Sequence, residues 1–336
     1  MKKAGNMVIK NLRYLCLVGV IVLGLMTIVG TGGGGGGGGS TQITYTGLET
    51  QATITDGNAE DLLTGAYEGG SIGTEFDINA IQSGESVHIG RPVALKVSRI
   101  LEDSLRKVDF ASGSGGTFIG GFYTVTGGED GNCGGDFDFE ISVDETTGDF
   151  NGSFTFNDYC DDGDTIDGGV SFTGQVDVNS PDNDLLKFTF SFNSLSFASG
   201  SDSFTLNGSI AWDVTGSPAT ITVTLLLRDN SANKVYWVQD YTLTLTEGTD
   251  YVEIDVSGRY YDPDYGYVDI TTPTPFRIND VDDYPSQGVL DVEGENGTAG
   301  GPTRARLIVI DNTKYRVEAD TDGDGSYDYV SADLDW

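Results

Sequence analysis

The chain has 336 residues, 49 of them glycine, with 16 Tyr, 16 Phe and 3 Trp, and it carries 52 acidic against 18 basic side chains for a net charge of −34. That length allows one large or two ordinary domains with a proper core, and the apolar content excludes a disordered chain. The acidity repels a phosphate backbone, so no nucleic acid is expected as a partner; anionic membrane surfaces are disfavoured and cations are the natural counterpart.

Residues 1–31 read as a signal segment: Lys2, Lys3, Lys10 and Arg13 precede the apolar run Leu15–Gly30. Its sixteen residues fall short of the roughly 20 needed to span a bilayer. Ile28-Val29-Gly30-Thr31 resembles the bacterial lipobox at three positions of four. The fourth is Thr31, which has no thiol to form a thioether, so any membrane association is expected not to use lipid at Thr31. Residues 32–40, with eight consecutive glycines from Gly32 to Gly39, read either as a flexible tether or as a leftover spacer.

Residues 41–112 are expected to hold a strand over Thr41–Thr55 and two amphipathic helices. The first runs from Ala59 to Tyr67, with Asn58 as its N-cap and Gly69-Gly70 as its stop. The second follows Pro92, with Val93, Val97, Ile100, Leu101, Leu105 and Val108 at helical spacing and Lys96, Arg99, Arg106 and Lys107 on its outer face. From 113 to 336 the period becomes two, as in Phe188-Thr189-Phe190-Ser191-Phe192 and Ile221-Thr222-Val223-Thr224-Leu225. The fold class is therefore mainly β: a long antiparallel meander forming a barrel or a sandwich. A loose repeat marks it, Asp167-Gly168-Gly169 returning as Asn207-Gly208-Ser209 and Ser257-Gly258-Arg259.

Cys16 lies in the apolar segment, which leaves Cys133 and Cys160 as an even pair. In an exported chain they read as one disulfide worth on the order of 3 kcal/mol; two buried free thiols are the alternative. With His88 the sole histidine, a zinc set cannot readily be assembled.

Asp320-Thr321-Asp322-Gly323-Asp324-Gly325-Ser326-Tyr327-Asp328 carries the strongest chemical signal. Alternate carboxylates on a tightly turning backbone converge on one point, where four of them repel unless a cation intervenes, and Ca²⁺ accepts such oxygens at flexible geometry. Asp320, Asp322, Asp324, Ser326 and Asp328 are the candidate ligands. The segment resembles the calcium loops of dockerins and thrombospondin-type repeats more than an EF-hand, because position 12 is Ser331 and the flanks read as strands. An acidic hairpin turn without metal explains the same residues equally well. Asp161, Asp162, Asp164 and Asp167 form a second acidic stretch, which reads as a turn.

Tyr260, Tyr261, Tyr265 and Tyr267 form a candidate binding loop for a sugar or a protein, set against ordinary packing between strands. Gly69-Gly70-Ser71-Ile72-Gly73 matches the hydrolase G-x-S-x-G pattern but follows a helix and lacks a placeable histidine, so it is rejected. No carboxylate pair stands out, and no phosphate-binding loop occurs.

The signal segment with Gly32–Gly39, Cys133-Gly134-Gly135 with Asp158-Tyr159-Cys160, and the acidic ending Asp320–Asp328 together resemble the glycine-tethered, lipoprotein-like exported envelope proteins of Gram-negative bacteria. The resemblance covers most of the chain and implies a periplasmic, outer-membrane-surface or extracellular location without naming an activity. The expected function is non-enzymatic, binding or structural, with a protein or glycan at the cell surface as partner. Two alternatives stand beside it. One is an outer-membrane β-barrel, suggested by Val330, Ala332, Leu334 and Trp336 alternating to the last residue. The other is a carbohydrate-binding module or carbohydrate-active enzyme using Tyr260–Tyr267.

Overall fold

The computed structural model describes residues 43–74, 117–119, 122–161, 163–179, 185–200, 202–282 and 284–336. Among the described residues, one helix, α1 (Ala59–Thr74), precedes sixteen strands. These are β1 (Thr117–Ile119), β2 (Phe122–Asp130), β3 (Gly134–Asp144), β4 (Asp149–Asp161), β5 (Asp164–Val176), β6 (Leu185–Ser199), β7 (Asp202–Asp213) and β8 (Ala219–Asp229). They continue as β9 (Lys234–Glu247), β10 (Tyr251–Asp262), β11 (Gly266–Asn279), β12 (Gln287–Asn296), β13 (Pro302–Asp311), β14 (Lys314–Asp320), β15 (Tyr329–Val330) and β16 (Leu334–Asp335). All belong to one sheet, with β1 to β15 neighbouring in sequence order and β16 paired to β14. The expected meander is present. A single open sheet stands where a barrel or sandwich was expected.

Two compact units divide the chain, one holding residues 74–215 and 227–233, the other 44–73, 216–226 and 234–336. In the first, alternation sends phenylalanines to one face: Phe150, Phe154, Phe156, Phe172, Phe188, Phe190 and Phe192 are all buried. Cross-strand register explains how rings fit so densely. Phe172 lies opposite Gly152, and Phe150 and Phe188 both lie opposite Gly174. A Cβ on Gly152 would fall 2.4 Å from the Phe172 ring, and one on Gly174 would fall 2.2 Å from the Phe150 ring. Each ring so buried stabilises by about 1.5–3 kcal/mol, and pairs such as Phe154–Phe172, 5.3 Å between centroids, add about 0.5–1.5 kcal/mol.

The repeated glycine motif has a structural meaning. Gly168, Gly208 and Gly258 take positive φ (115°, 122° and 148°), and they sit at register shifts beside non-glycine residues that also take positive φ: Asp158, Ser194 and Asp240. Each is a β-bulge in which two residues of one strand oppose one of the next, bending the strand and strengthening its twist. The repeat therefore marks bends in long strands, not a repeated unit.

In the second unit the buried face of β9–β14 includes Tyr241, Leu243, Val256, Tyr260, Val268, Ile270, Leu290, Val292, Leu307 and Val317, together with Ala59, Leu62, Leu63 and Ala66 of α1. Helix and strands approach closely. Tyr241 donates its hydroxyl to the Ala66 carbonyl at 3.2 Å, a Cβ on Gly65 would lie 2.3 Å from the Tyr260 hydroxyl, and one on Gly69 would lie 2.9 Å from Val238. This close packing corrects the expected stop at Gly69-Gly70: the helix runs on to Thr74.

Asn58 is not an N-cap of the expected kind. Its Oδ1 accepts from Thr55 N at 2.8 Å and its Nδ2 donates to Thr53 O at 3.0 Å, closing the turn before the helix. Thr41–Thr55 is not a regular strand either. Over the described part it makes one isolated parallel bridge, Gln51 to Tyr267, because its next bond goes to a different strand, from Glu295 N to Ala52 O at 2.8 Å. The second expected helix lies outside the described residues. Among them, no helix is long and apolar enough to cross a membrane.

Candidate metal centre

Asp320 ends β14 with its residue only 2% exposed. The chain then turns back through residues 321–328 to β15. Asp320 Oδ1 accepts from Gly323 N at 2.8 Å and its Oδ2 from Gly325 N at 2.8 Å. Asp322 Oδ1 accepts from Asp324 N at 3.1 Å, and Asp324 Oδ1 from Ser326 N at 2.7 Å. Carboxylates thus hold the turn's backbone, and the bends fall at Gly323 and Gly325, with φ of 77° and 90°, where a side chain would be strained.

The neighbouring β12–β13 turn braces this loop through its main chain. Ala299 N donates to Asp322 O at 2.8 Å and Gly301 N to Gly323 O at 3.1 Å. A Cβ on Gly323 would fall 2.0 Å from Gly301 O, and one on Gly297 would fall 2.2 Å from Asp322 O. The two turns meet backbone to backbone.

One carboxylate oxygen from each of Asp320, Asp322 and Asp328 lies within 4.8 Å of the other two. Oxygens bound to one Ca²⁺ at about 2.3–2.6 Å lie no farther apart than about twice that distance, so the spacing and the hard oxygen donors fit this ion. Partial loss of hydration in the turn and the charges of Asp322, Asp324 and Asp320 push up the pKa of the exposed Asp328 carboxyl, as crowded like charges do. Arg304 stands opposite Asp320 in the β13–β14 register, yet its guanidinium turns to Glu293 at 2.8 Å. Among the described residues, no lysine or arginine forms an ion pair with the three aspartates. Asp324 and Ser326, also expected as ligands, lie in the loop outside this triad.

Sequence reading did not foresee the surroundings. Tyr327 leaves the loop to lie under the Arg306 guanidinium, 3.9 Å from ring centre, and Arg306 binds Glu318 at 2.6 Å. Gly297 and Gly301, the backbone brace, are legible only as turn glycines until their partner loop is known.

Cys133 and Cys160 are joined, with Cα atoms 5.1 Å apart, pinning the β2–β3 turn to the end of β4. The four tyrosines do not form one surface loop. Tyr260 is buried against α1. Tyr261, 7% exposed, stacks on Trp237 at 4.5 Å and takes the edge of Tyr45 at 5.4 Å. Tyr265 sits in the turn, donating to Asp61 Oδ2 at 3.2 Å. Tyr267 belongs to β11, beneath the Arg259 guanidinium at 4.0 Å. Adjacent residues of a strand point to opposite faces, which separates Tyr260 from Tyr261.

Compared with family models, with curated proteins and with solved structures, the chain matches none of them.

Proposed function

We propose that this chain is an exported, non-enzymatic β-sheet protein of the Gram-negative envelope or cell surface, with a binding or structural role and a calcium-stabilised last turn. The observation that carries the calcium reading is the convergence of Asp320, Asp322 and Asp328 on one point with the nearest register partner, Arg304, committed to Glu293. Export rests on the basic-then-apolar start of the sequence, the location on its glycine run, and the absence of lipid on Thr31. The partner is an unidentified protein or glycan. Calcium bound to the folded turn and not to the unfolded chain stabilises by about 2.7 kcal/mol at a hundredfold excess over Kd.

The test is a thermal melt of the mature chain across a calcium titration, with Asp320→Asn as the comparison. The midpoint is expected to rise with calcium in the parent and to stay flat in the variant. A parent melt indifferent to calcium sinks the metal reading. Mass spectrometry of the secreted product's N-terminus tests export separately: a chain retaining Met1 to Gly30 speaks against it.

The burial pattern weighs against the outer-membrane barrel. Such a barrel turns apolar residues outward, whereas the apolar strand positions here are the buried ones and their neighbours in β3 are Asp136, Asp138 and Glu140. The carbohydrate reading loses its loop once Tyr260 and Tyr261 divide between two faces.

A further inference from the structure

The turn between β10 and β11 contains the chain's single Asp–Pro bond, Asp262–Pro263. An aspartyl–prolyl bond is chemically exposed to its own side chain. The carboxyl stands one methylene from Cα, so its oxygen reaches the main-chain carbonyl carbon through a five-membered ring. Proline's ring nitrogen carries no N–H and leaves as a basic secondary amine. In most folds the bond stays silent, because the carboxyl is ionised and nothing polarises the carbonyl. Here burial raises the carboxyl's pKa and a hydroxyl stands at the carbonyl oxygen.

The Tyr45 hydroxyl lies 3.0 Å from the Asp262 carbonyl oxygen and 3.0 Å from the Leu48 carbonyl oxygen, and its one proton is shared between these two acceptors. That donor is aimed at the oxygen that gains negative charge when the carbonyl carbon is attacked, where fixed donors act most strongly. Tyr45 is held in place by ring contacts with Tyr261 and Trp237, and burial pushes its pKa up, so it remains a donor. The same segment brackets the other side of the bond. Leu48 N donates to Pro263 O at 3.3 Å, and Gly47 lies so close that a Cβ there would fall 2.4 Å from Pro263 Cα.

The Asp262 side chain is anchored through one oxygen: Oδ1 accepts from Asp264 N at 2.8 Å and Tyr265 N at 3.2 Å, and Oδ2 takes part in neither bond. Asp262 is 7% exposed. Burial raises its pKa, the two backbone bonds oppose this, Asp264 adds to it, and Lys234 opposes it. Lys234 is itself paired with Asp264. The Tyr260, Tyr261 and Tyr265 hydroxyls and Glu49 are the other titratable groups around Asp262 and Tyr45.

The geometry points to Asp262–Pro263 as a self-cleavage site, with Tyr45 as the donor that stabilises the attacked carbonyl. The protonated Asp262 carboxyl adds through oxygen to its own carbonyl carbon, and the C–N bond to Pro263 breaks. The carboxyl proton ends on the proline nitrogen. Water then opens the cyclic anhydride, leaving Asp262 as a C-terminal residue with two carboxylates and Pro263 as a new N-terminus. No oxidant or other co-reactant is needed. The nick severs the β10–β11 turn, while the β10–β11 pairing from Tyr251–Asn279 to Asp262–Gly266 holds the two pieces together.

The test follows the intact mass of the full secreted chain held at a series of values from about pH 4 to about pH 7, since a raised carboxyl keeps its proton to higher pH than an ordinary one. Two fragments are expected, meeting at Asp262 and Pro263, whose masses sum to that of the parent plus one water. Asp262→Ser, which can still cap the turn through its hydroxyl, is expected to abolish cleavage. Tyr45→Phe, which keeps the ring contacts, is expected to slow it about tenfold, less than the roughly hundredfold to thousandfold loss seen for a dedicated oxyanion donor, because the Tyr45 proton is shared with Leu48 O. The parent unfolded in guanidinium should cleave more slowly than the folded chain. An uncut folded parent overturns the proposal. So does equal cleavage in folded parent, Tyr45→Phe and unfolded chain, which would be ordinary acid lability of the bond.

Discussion

Strands β3–β6 bury phenylalanines and present carboxylates, with no Lys, Arg or His anywhere between Lys107 and Lys187. Strands β9–β14 bury aliphatic residues and tyrosines around a helix, and set arginines against acids on the other face: Arg259 with Asp269, Arg277 with Glu253, Arg304 with Glu293, Arg306 with Glu318. In the first region Asp130 and Asp136 stand directly opposite each other, and Asp136 receives an amide, Asn157 Nδ2 at 2.9 Å, in place of a base. Like charges opposite one another destabilise a ladder. Among the described residues, burial and the Cys133–Cys160 bond join these strands beyond their ladders, while the second region sets arginines against its acids.

The comparison is broken or sharpened most strongly by a core truncation. Phe154→Ala removes a fully buried ring and should destabilise by about 3–5 kcal/mol. Hydrogen exchange is expected to show lost protection in β3–β6 with β9–β14 unchanged. Equal loss in both would mean one cooperative unit and would dissolve the distinction. Cys133→Ser comes next, at about 3 kcal/mol by the loop-entropy argument, and its effect should be confined to the same strands; an unchanged melt would show that burial alone suffices.

Salt separates the two regions with opposite signs. Screening relieves like-charge repulsion and weakens exposed pairs, so added sodium chloride should raise amide protection in β3–β6 and leave β9–β14 flat or slightly lower. Arg306→Met removes one arginine from the second region. The Arg306–Glu318 pair is part-buried and Arg316 also reaches Glu318, so the loss is expected somewhat above the about 0–1 kcal/mol of exposed pairs, and it should shrink in part as salt rises. A loss that ignores salt would mean that Arg306 acts through its packing on Tyr327 rather than through Glu318.

Alternation made the meander legible in the sequence, since a period of two leaves little choice for runs such as Phe188–Phe192. The acidic turn was legible as a turn, and three of its five named residues do converge. What failed were features decided by distant partners. Gly69-Gly70 looks like a stop until Val238 and Tyr241 are known to need the space. Asn58 looks like a cap until its side chain is seen to fold backward onto Thr53 and Thr55. Tyr260 to Tyr267 looks like a loop because a strand, a tight turn and another strand are read as one aromatic run. The Arg304–Glu293 pair depends on register across β12 and β13, which no local pattern fixes.

The smallest effect probes a flaw in the balanced region. Asp291 stands opposite Arg306 in the β12–β13 register, but Arg306 is bound to Glu318, and Asp291 Oδ1 is buried without a hydrogen-bond partner. Burial holds the Asp291 carboxyl above its usual pKa, with Arg306 and Arg304 opposing. A carboxyl raised in the fold binds its proton there before it does in the unfolded chain. Its ionisation therefore costs stability as pH rises through the folded value, and that cost is absent below the unfolded value. Asp291→Asn should raise the melting midpoint slightly at neutral pH, with the gain fading as pH falls through the ordinary carboxylate range. A loss at neutral pH would show instead that the Asp291 charge supports the arginine row, extending the charge balance of β12–β14 to an acid that stands opposite Arg306 without binding it.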